Sequence, residues 1–445
     1  MPDIIITIGG EAGQGVQTIG EVLSRILIRS GFYVFSIQDY HSRIRGGHNS
    51  VQIRFSDQPI QAIGTDLDLL VCLNSETQEI HQPALKSDGI MIGMIKKSPS
   101  TSSAISINFN EMAEELGNRI FANIIAVGAL IEILGIDDKI AELYLEEIFQ
   151  KKGNDVVRLN KEALALGQKE IKRQQIPRQF LDKKNGNPNQ GNLLLIGGNE
   201  ALGLGAILAG CTFYSAYPMT PSTGVMNFIS SRSKKYGIIV EQAEDEIAAI
   251  NMAIGASYAG AKAMTATSGG GFCLMAEGLG LAAMTETPIV VLDGMRPGPS
   301  TGLPTRTSQG DLEFVLSASH DEFPRFVFAP RDPQDAIDTM IRAFNLSDRF
   351  QVPVIILSDQ YLADSSWTFS QMKMNEQPQK IQTVIGDHSY QRYALTDSGI
   401  SPRALPGMSE ALVVADSDEH DEIGHLTEDL NQRVQMHQKR MKKIE

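Results

Sequence analysis

Cysteine is scarce in this chain: Cys72, Cys211 and Cys273 stand far apart, with no CxxC pair. That excludes a disulfide framework and a four-thiolate metal or iron–sulfur centre built by this chain alone. The three read as small buried hydrophobes. Long apolar runs are missing too. No stretch approaches the roughly 18 residues that cross a bilayer, and the N-terminus, MPDIIITIGG, has an acid where a signal peptide needs basic residues. A cytoplasmic protein is expected. Positive charge is in deficit, with 39 Lys and Arg against 53 Asp and Glu, a net −14. Binding a phosphate backbone needs clustered basic side chains that release counterions, so neither nucleic acid nor membrane is an expected partner. What is present, 445 residues of which 42% are apolar, suffices for two or three domains with cores of their own.

The chain opens with a strand (DIIITI), a glycine-rich turn from Gly9 to Gly15, a helix from Val16 to about Arg29, and a strand (YVFSI) ending near Asp39. This order resembles a nucleotide-binding βαβ unit. Its glycine spacing is G-x-x-G-x-G rather than G-x-G-x-x-G, however, and no Lys-Ser/Thr follows to grip a phosphate. A tight turn with close backbone packing is the simpler reading. The segment SRIRGGHNS, Ser42 to Ser50, is a compact cationic loop in an acidic protein, suited to an anionic ligand or to acids of another domain or chain. Strands at Leu69 to Leu73 and Gly89 to Met94, with helices at Ala122 to Leu134 and Lys139 to Phe149, complete a first α/β domain over 1–172. The polar, proline-bearing 173–191 reads as a linker.

A second domain, 192–371, is a doubly wound parallel-sheet α/β domain of about six strands. At its centre, Glu241 to Asp311 reads β-α-β-α-β: a strand ending at Glu241, a helix from Asp245 to Tyr258, a strand over Ala263 to Thr267, a triple-glycine turn at Gly269 to Gly271, a helix from Phe272 to about Glu286, and a strand from Pro288 to Leu292. Such sheets bind ligands beyond the carboxyl ends of their strands. The polar residues fall there: Tyr217-Pro218-Met219-Thr220-Pro221-Ser222-Thr223, the acids Glu241 to Glu246, Thr267 with Ser268, and the long loop from Arg296 to Asp311. In the YPMTPST turn, Ser222 or Thr223 can cap the next helix. From 372 to 445 the chain is irregular, then acidic, and closes on a basic helix, Asn431 to Lys443, with no evident core to join.

Four acids cluster before one helix, and most serve its dipole. Glu246 differs, because the Ala/Gly-rich face after it lets a neighbour approach and shut out water. A carboxylate so placed has a raised pKa and exchanges protons near neutrality. Arg296, beside threonine hydroxyls, offers a fork for a substrate carboxylate; a surface salt bridge is the alternative.

YPMTPST, the stretch from Glu246 to Gly255, TSGGG, RPGPSTGLPT and QGDL together resemble the alpha subunit of the 2-oxoacid:ferredoxin oxidoreductases with a gamma domain fused at the N-terminus, most like the 2-oxoglutarate enzymes. GGEAGQG and IRGGHNS are similar to gamma-domain signatures. The resemblance implies a gamma-type domain followed by a pyrimidine-binding domain for thiamine diphosphate. It implies oxidation of 2-oxoglutarate or a related 2-oxoacid with coenzyme A to the acyl-CoA, CO₂ and reduced ferredoxin. It assigns Glu246 to the cofactor's pyrimidine N1′, Thr220 to the reacting end of the cofactor, Arg296 and Thr305 to the 2-oxoacid, and Tyr217, Pro218, Thr267 and Ser268 to the cofactor's surroundings. Arg45, Gly46 and Gly47 are candidates for coenzyme A. No residue here is expected to bind metal: the Mg²⁺ and diphosphate grip and the 4Fe-4S cluster are expected in a beta-subunit partner, with ferredoxin as the second protein partner. Relatives are also expected to carry a further C-terminal α/β domain that residues 372–445 lead towards. Two alternatives stay open, an NAD-dependent dehydrogenase using the N-terminal βαβ and a non-catalytic assembly subunit.

Overall fold

A computed structural model describes residues 3–41, 47–96, 103–176, 180–181 and 193–445. Most of the expected linker, with Arg45 and Gly46, lies outside them. The chain divides into two compact units, one of residues 1–196 with 365–372, the other of 197–364 with 373–445. The second boundary thus differs from the expected one at 371, because the chain leaves the second unit for a single strand of the first and then returns.

In the first unit the order is β1 (Asp3–Glu11), α1 (Val16–Arg29), β2 (Tyr33–Asp39), β3 (His48–Ser56), β4 (Leu67–Cys72), α2 (Ser75–His81), β5 (Leu85–Gly93), β6 (Ser103–Ser106), α3 (Phe109–Glu115), α4 (Ala122–Leu134), α5 (Asp138–Phe149), α6 (Asn154–Arg173) and β7 (Leu194–Gly197). Its sheet has eight strands in the order β6-β5-β4-β1-β3-β2-β14-β7, where β14 is Ser365–Phe369. β1 pairs parallel with β4 and antiparallel with β3, which also pairs antiparallel with β2. β1 and β2 are therefore separated by an antiparallel strand. This corrects the nucleotide-binding reading, which needs adjacent parallel strands around the glycine turn. α4, apolar all round (ANIIAVGALIEIL), is buried along nearly its whole length. It crosses α6 closely: a Cβ on Gly128 would strike the backbone of Leu164, and one on Gly167 that of Ile125.

The second unit contains α7 (Gly198–Leu208), β8 (Phe213–Ala216), α8 (Thr223–Ser230), α9 (Ser233–Tyr236), β9 (Ile239–Gln242), α10 (Glu246–Tyr258), β10 (Ala263–Thr267), α11 (Gly269–Leu274), α12 (Ala276–Met284), β11 (Ile289–Met295), α13 (Leu312–Ser317), β12 (Phe326–Phe328), α14 (Pro333–Phe350), β13 (Pro353–Asp359), α15 (Gln360–Asp364) and α16 (Leu430–Lys442). Six strands in the order β12-β13-β11-β10-β8-β9 form an all-parallel sheet. β10, β11 and β13 are buried at every residue, as strands covered on both faces must be. The triple glycine is not a turn but the first turn of α11. Cys273, on the same helix, is exposed, unlike buried Cys72 and Cys211. No helix among the described residues is long and apolar enough to cross a membrane.

Residues 373–429 run irregularly over this unit, tied down by side chains of the α/β core. Asp338 accepts from the backbone and side-chain amides of Asn375 (2.9 and 2.7 Å), and Lys262 Nζ donates to the Gln379 carbonyl (2.6 Å). α16 does find a core, against expectation. Glu286, fully buried, takes Lys439 Nζ at 2.5 Å and Lys443 Nζ at 2.6 Å, while Arg392 donates to its carbonyl at 2.8 Å. Burial alone would raise the Glu286 carboxyl, but Lys443 and Lys439 outweigh it and hold it well below the usual range. Burial pushes the Lys443 ammonium down to about 7.

Losing one member of such a buried cluster leaves the others uncompensated. Glu286→Ala should destabilise the second unit by about 3 kcal/mol or more, a fall of roughly 6 to 12 °C in its thermal midpoint. A change below about 1 kcal/mol would show that the two lysines reach water instead.

Candidate active site

Because all six strands are parallel, their carboxyl ends and the following helix starts gather at one edge of the second unit. The four acids before α10 separate in role there. Asp245 is the N-cap, its carboxylate accepting from Ala248 N at 2.7 Å. Glu241 and Glu244 are exposed. Glu246, the first helical residue, points inward and is 3% exposed. Gly271 makes room for it, since a Cβ there would run into both the Glu246 carboxylate and the Thr267 hydroxyl. Ala249, Ile250, Ala253, Phe272 and Met275 belong to the apolar cluster of the same region.

Glu246 Oε1 has no hydrogen-bond partner among the described residues. Burial raises the carboxyl's pKa, and Asp245 adds to the rise. A backbone amide at the helix start, the Thr267 hydroxyl and the more distant Arg296 charge oppose it. An acid shut away from water with one free oxygen can hold a proton near neutral pH and pass it to a partner set in front of it.

At the end of β8, Tyr217 is 40% exposed, and Pro218, Met219 and Thr220 are half-buried. Asn199 of α7 donates to the Pro221 carbonyl at 3.0 Å, and Pro221 packs on Gly294 of β11. Ser222 is the N-cap of α8 by position, but its hydroxyl donates back to the Met219 carbonyl at 2.8 Å and closes the turn instead. The turn lies beside the end of β10, where Thr267 Oγ1 is 3.9 Å from Met219 Sδ. Thr267 and Ser268 are fully buried, and Ser268 Oγ has no partner among the described residues.

Arg296, just past β11, donates from Nη1 to the Thr220 carbonyl at 3.0 Å, and its buried Nε is unpartnered among the described residues. Burial lowers its pKa while Glu246 raises it. The surface salt bridge that is the alternative reading of Arg296 is not found among the described residues. Thr305 is half-buried farther along the loop, and its carbonyl accepts from Arg306 Nη1 at 2.8 Å. The structure thus joins Glu246 with Thr267 and Arg296 with Thr220, and records no bond between Thr305 and Arg296. In the first unit, the Gly47 carbonyl accepts from Ala12 N at 3.3 Å, so Gly47 lies beside the glycine-rich turn.

Sequence reasoning missed the role of Gly271 and the buried Asp293, which faces Asp311 at the far end of the loop. A signal for the latter was available: an acid inside an otherwise apolar strand, IVVLDGM, needs a reason.

Two family models match: residues 204–439 the thiamine diphosphate-binding region of pyruvate flavodoxin/ferredoxin oxidoreductases, and residues 5–170 pyruvate ferredoxin/flavodoxin oxidoreductase. The 2-oxoacid:ferredoxin oxidoreductase alpha subunit of a Sulfolobus species is 32% identical over 98% of this chain and 77% of its own. The chain belongs to the 2-oxoacid:ferredoxin oxidoreductase family. Within it, similarity runs to alpha subunits, and the chain is accordingly an oxidoreductase component. The 2-oxoglutarate synthase subunit KorA of Archaeoglobus fulgidus is 51% identical, over 37% of this chain and 48% of its own. Among solved structures, the 2-oxoglutarate:ferredoxin oxidoreductase of Magnetococcus marinus, with 2-oxoglutarate, coenzyme A and succinyl-CoA bound, superposes with a TM-score of 0.89 at 35% identity, over all of this chain and 78% of that one.

The residues fit the cofactor that the matched domain takes. A buried carboxylate oxygen without a partner suits a ring nitrogen that shares its proton, and the unpartnered Ser268 hydroxyl is a further polar group at the same strand end. The raised pKa also has a measurable cost in stability. A buried acid whose folded pKa lies above its unfolded one loses stabilising effect as pH rises between the two. Glu246→Gln should therefore unfold at a higher temperature than the unsubstituted chain at pH 8, with the gain vanishing as pH falls to about 4. Melting curves over that range would show it, and a pH-independent difference would contradict the raised pKa.

Proposed function

We propose that this chain holds the aminopyrimidine of thiamine diphosphate and the 2-oxoacid in an oxidoreductase that converts 2-oxoglutarate, coenzyme A and oxidised ferredoxin to succinyl-CoA, CO₂ and reduced ferredoxin. The observation that carries this reading is Glu246: the one inward-facing acid of its run, nearly dry, with a free oxygen and a raised pKa. The choice of 2-oxoglutarate is supported by the KorA subunits and the Magnetococcus enzyme among the similar proteins.

When bound, thiamine diphosphate supplies a carbon nucleophile for the 2-oxo carbon and a sink for the electrons that CO₂ leaves behind. Glu246 holds and moves the proton at Oε1 that this chemistry requires. The small residues around α10 and α11 keep water from that carboxyl, and Thr267 and Ser268 wall the same space. Arg296, already anchored by the Thr220 carbonyl, keeps donors free for the substrate carboxylate, with Thr305 contributing from the loop. Thr220, Tyr217 and Pro218 shape the approach to the reacting carbon. Coenzyme A is assigned to Arg45, Gly46 and Gly47. A beta-subunit partner supplies the Mg²⁺ and diphosphate ligands and the 4Fe-4S cluster that passes electrons to ferredoxin.

Glu246→Gln keeps the shape but cannot exchange the proton, so deuterium exchange at the bound cofactor's C2 should slow by about 10² to 10⁴-fold in the complex with the partner. Glu244→Gln, exposed and two residues away, should change it little. Comparable losses from the two would move the role out of Glu246. Arg296→Lys keeps the charge but loses the planar fork, and should raise KM for the 2-oxoacid more than KM for coenzyme A. Equal effects on both would point to a structural role instead.

A further inference from the structure

The loop that begins at Arg296 ends in two contacts with the strand ends beneath it. Gln309 Nε2 donates to Asp359 Oδ2 at 2.6 Å on β13, whose Oδ1 also accepts from Leu362 N at 2.8 Å. Asp311 faces Asp293 on the neighbouring β11. Asp311 stands at the N-cap of α13, where an aspartate normally bonds the helix amides, yet it makes no capping bond. Its carboxylate instead packs against Gly269, where a Cβ would lie 2.6 Å from Oδ2. Asp293 is fully buried, and neither of its oxygens, nor Oδ2 of Asp311, has a donor among the described residues.

Two carboxylates turned to each other with no donor between them repel. One proton converts the same contact into a strong hydrogen bond. We propose that Asp293 and Asp311 share one proton and act as a positioning pair, a latch that holds the return end of the loop carrying Arg296 and Thr305. The groups packed around it agree. From α11 comes the thiol of Cys273, which both acids push upward; from β10, the uncharged Thr267, in register with Asp293; from β13, the apolar Leu357, in register on the other side, with Asp359 two residues on already engaged by Gln309. No cation is among the influences on either carboxyl. Burial and Asp311 hold Asp293 well above the usual carboxylate range, and burial raises Asp311 as well.

Opening the latch exposes both acids, which then release the shared proton. Between the ordinary carboxylate range and the pair's own pKa, the opening equilibrium should therefore grow about tenfold per pH unit. The latch stands on this geometry alone; only its consequence for substrate rests on the reading of Arg296 given above. The test is amide hydrogen exchange of residues 297–308 in the full chain from pH 5 to 8, corrected for the intrinsic rate. In the unsubstituted chain, opening should rise with that slope. In Asp311→Asn, whose amide donates to Asp293 without a proton, protection should persist and the slope disappear. Asp311→Ala should open at every pH. A flat profile in the unsubstituted chain, or the same slope in Asp311→Asn, overturns the latch. In the active complex, Asp311→Ala should raise KM for the 2-oxoacid about tenfold with kcat little changed. If exchange behaves as expected while KM does not move, the latch stands and the assignment of Arg296 falls.

Discussion

A carboxylate kept from water at the start of a helix is the constraint on which the second unit depends. An ionisable group in so dry a place is costly, and the architecture supplies reasons why it stays. The parallel sheet brings the α10 start and the end of β10 to one edge, and a glycine in α11 leaves space into which the side chain turns. Each is a backbone decision, made by elements distant in sequence, that fixes one oxygen atom. The free oxygen is the product of that arrangement rather than a defect in it.

The same edge holds two buried carboxyl groups in different surroundings. Glu246 sits where a hydroxyl and, more weakly, a guanidinium temper the rise that burial imposes on its carboxyl. Among the described residues, Asp293 is answered by another acid and by no hydrogen-bond donor. In the roles proposed above for them, environment rather than residue type sorts one into chemistry and the other into holding a loop, in the way paired carboxyls with divergent surroundings take divergent roles.

Much of the second unit was legible because its signals are local. The apolar strands AMTAT and PVIILSD and the Ala-rich α10 each declare themselves within a few residues, and parallel strands between helices allow few topologies. Glu246 was legible for the same reason, since the face behind it is written in the next dozen residues. Elements settled by distant partners were not. β3 inserts itself between β1 and β2 by pairing that no periodicity reveals. The three glycines of α11 look like a turn until the side chains that fill the Cβ space of Gly269 and Gly271 are known. α16 looks like a solvated basic helix because its counterion, Glu286, lies more than a hundred residues upstream.

β14 is the clearest instance of long-range dependence. Val34 both donates to and accepts from the Thr368 hydroxyl, the Trp367 ring lies tilted against Phe35 at 5.2 Å between centroids, and Ser365 to Trp367 pair with Phe35 to Ile37. A strand encoded late in the chain thus closes the flank of a sheet encoded early. Splitting the polypeptide in the polar segment before β7 would not yield two self-sufficient halves. The early half would present β2 with the edge that β14 covers bare, a ready template for association with other copies, and the late half would carry β14 and β7 cut off from the six strands they extend. The two units are separable in packing but interlocked in connectivity, so each can be produced alone only if those few residues travel with the half they complete.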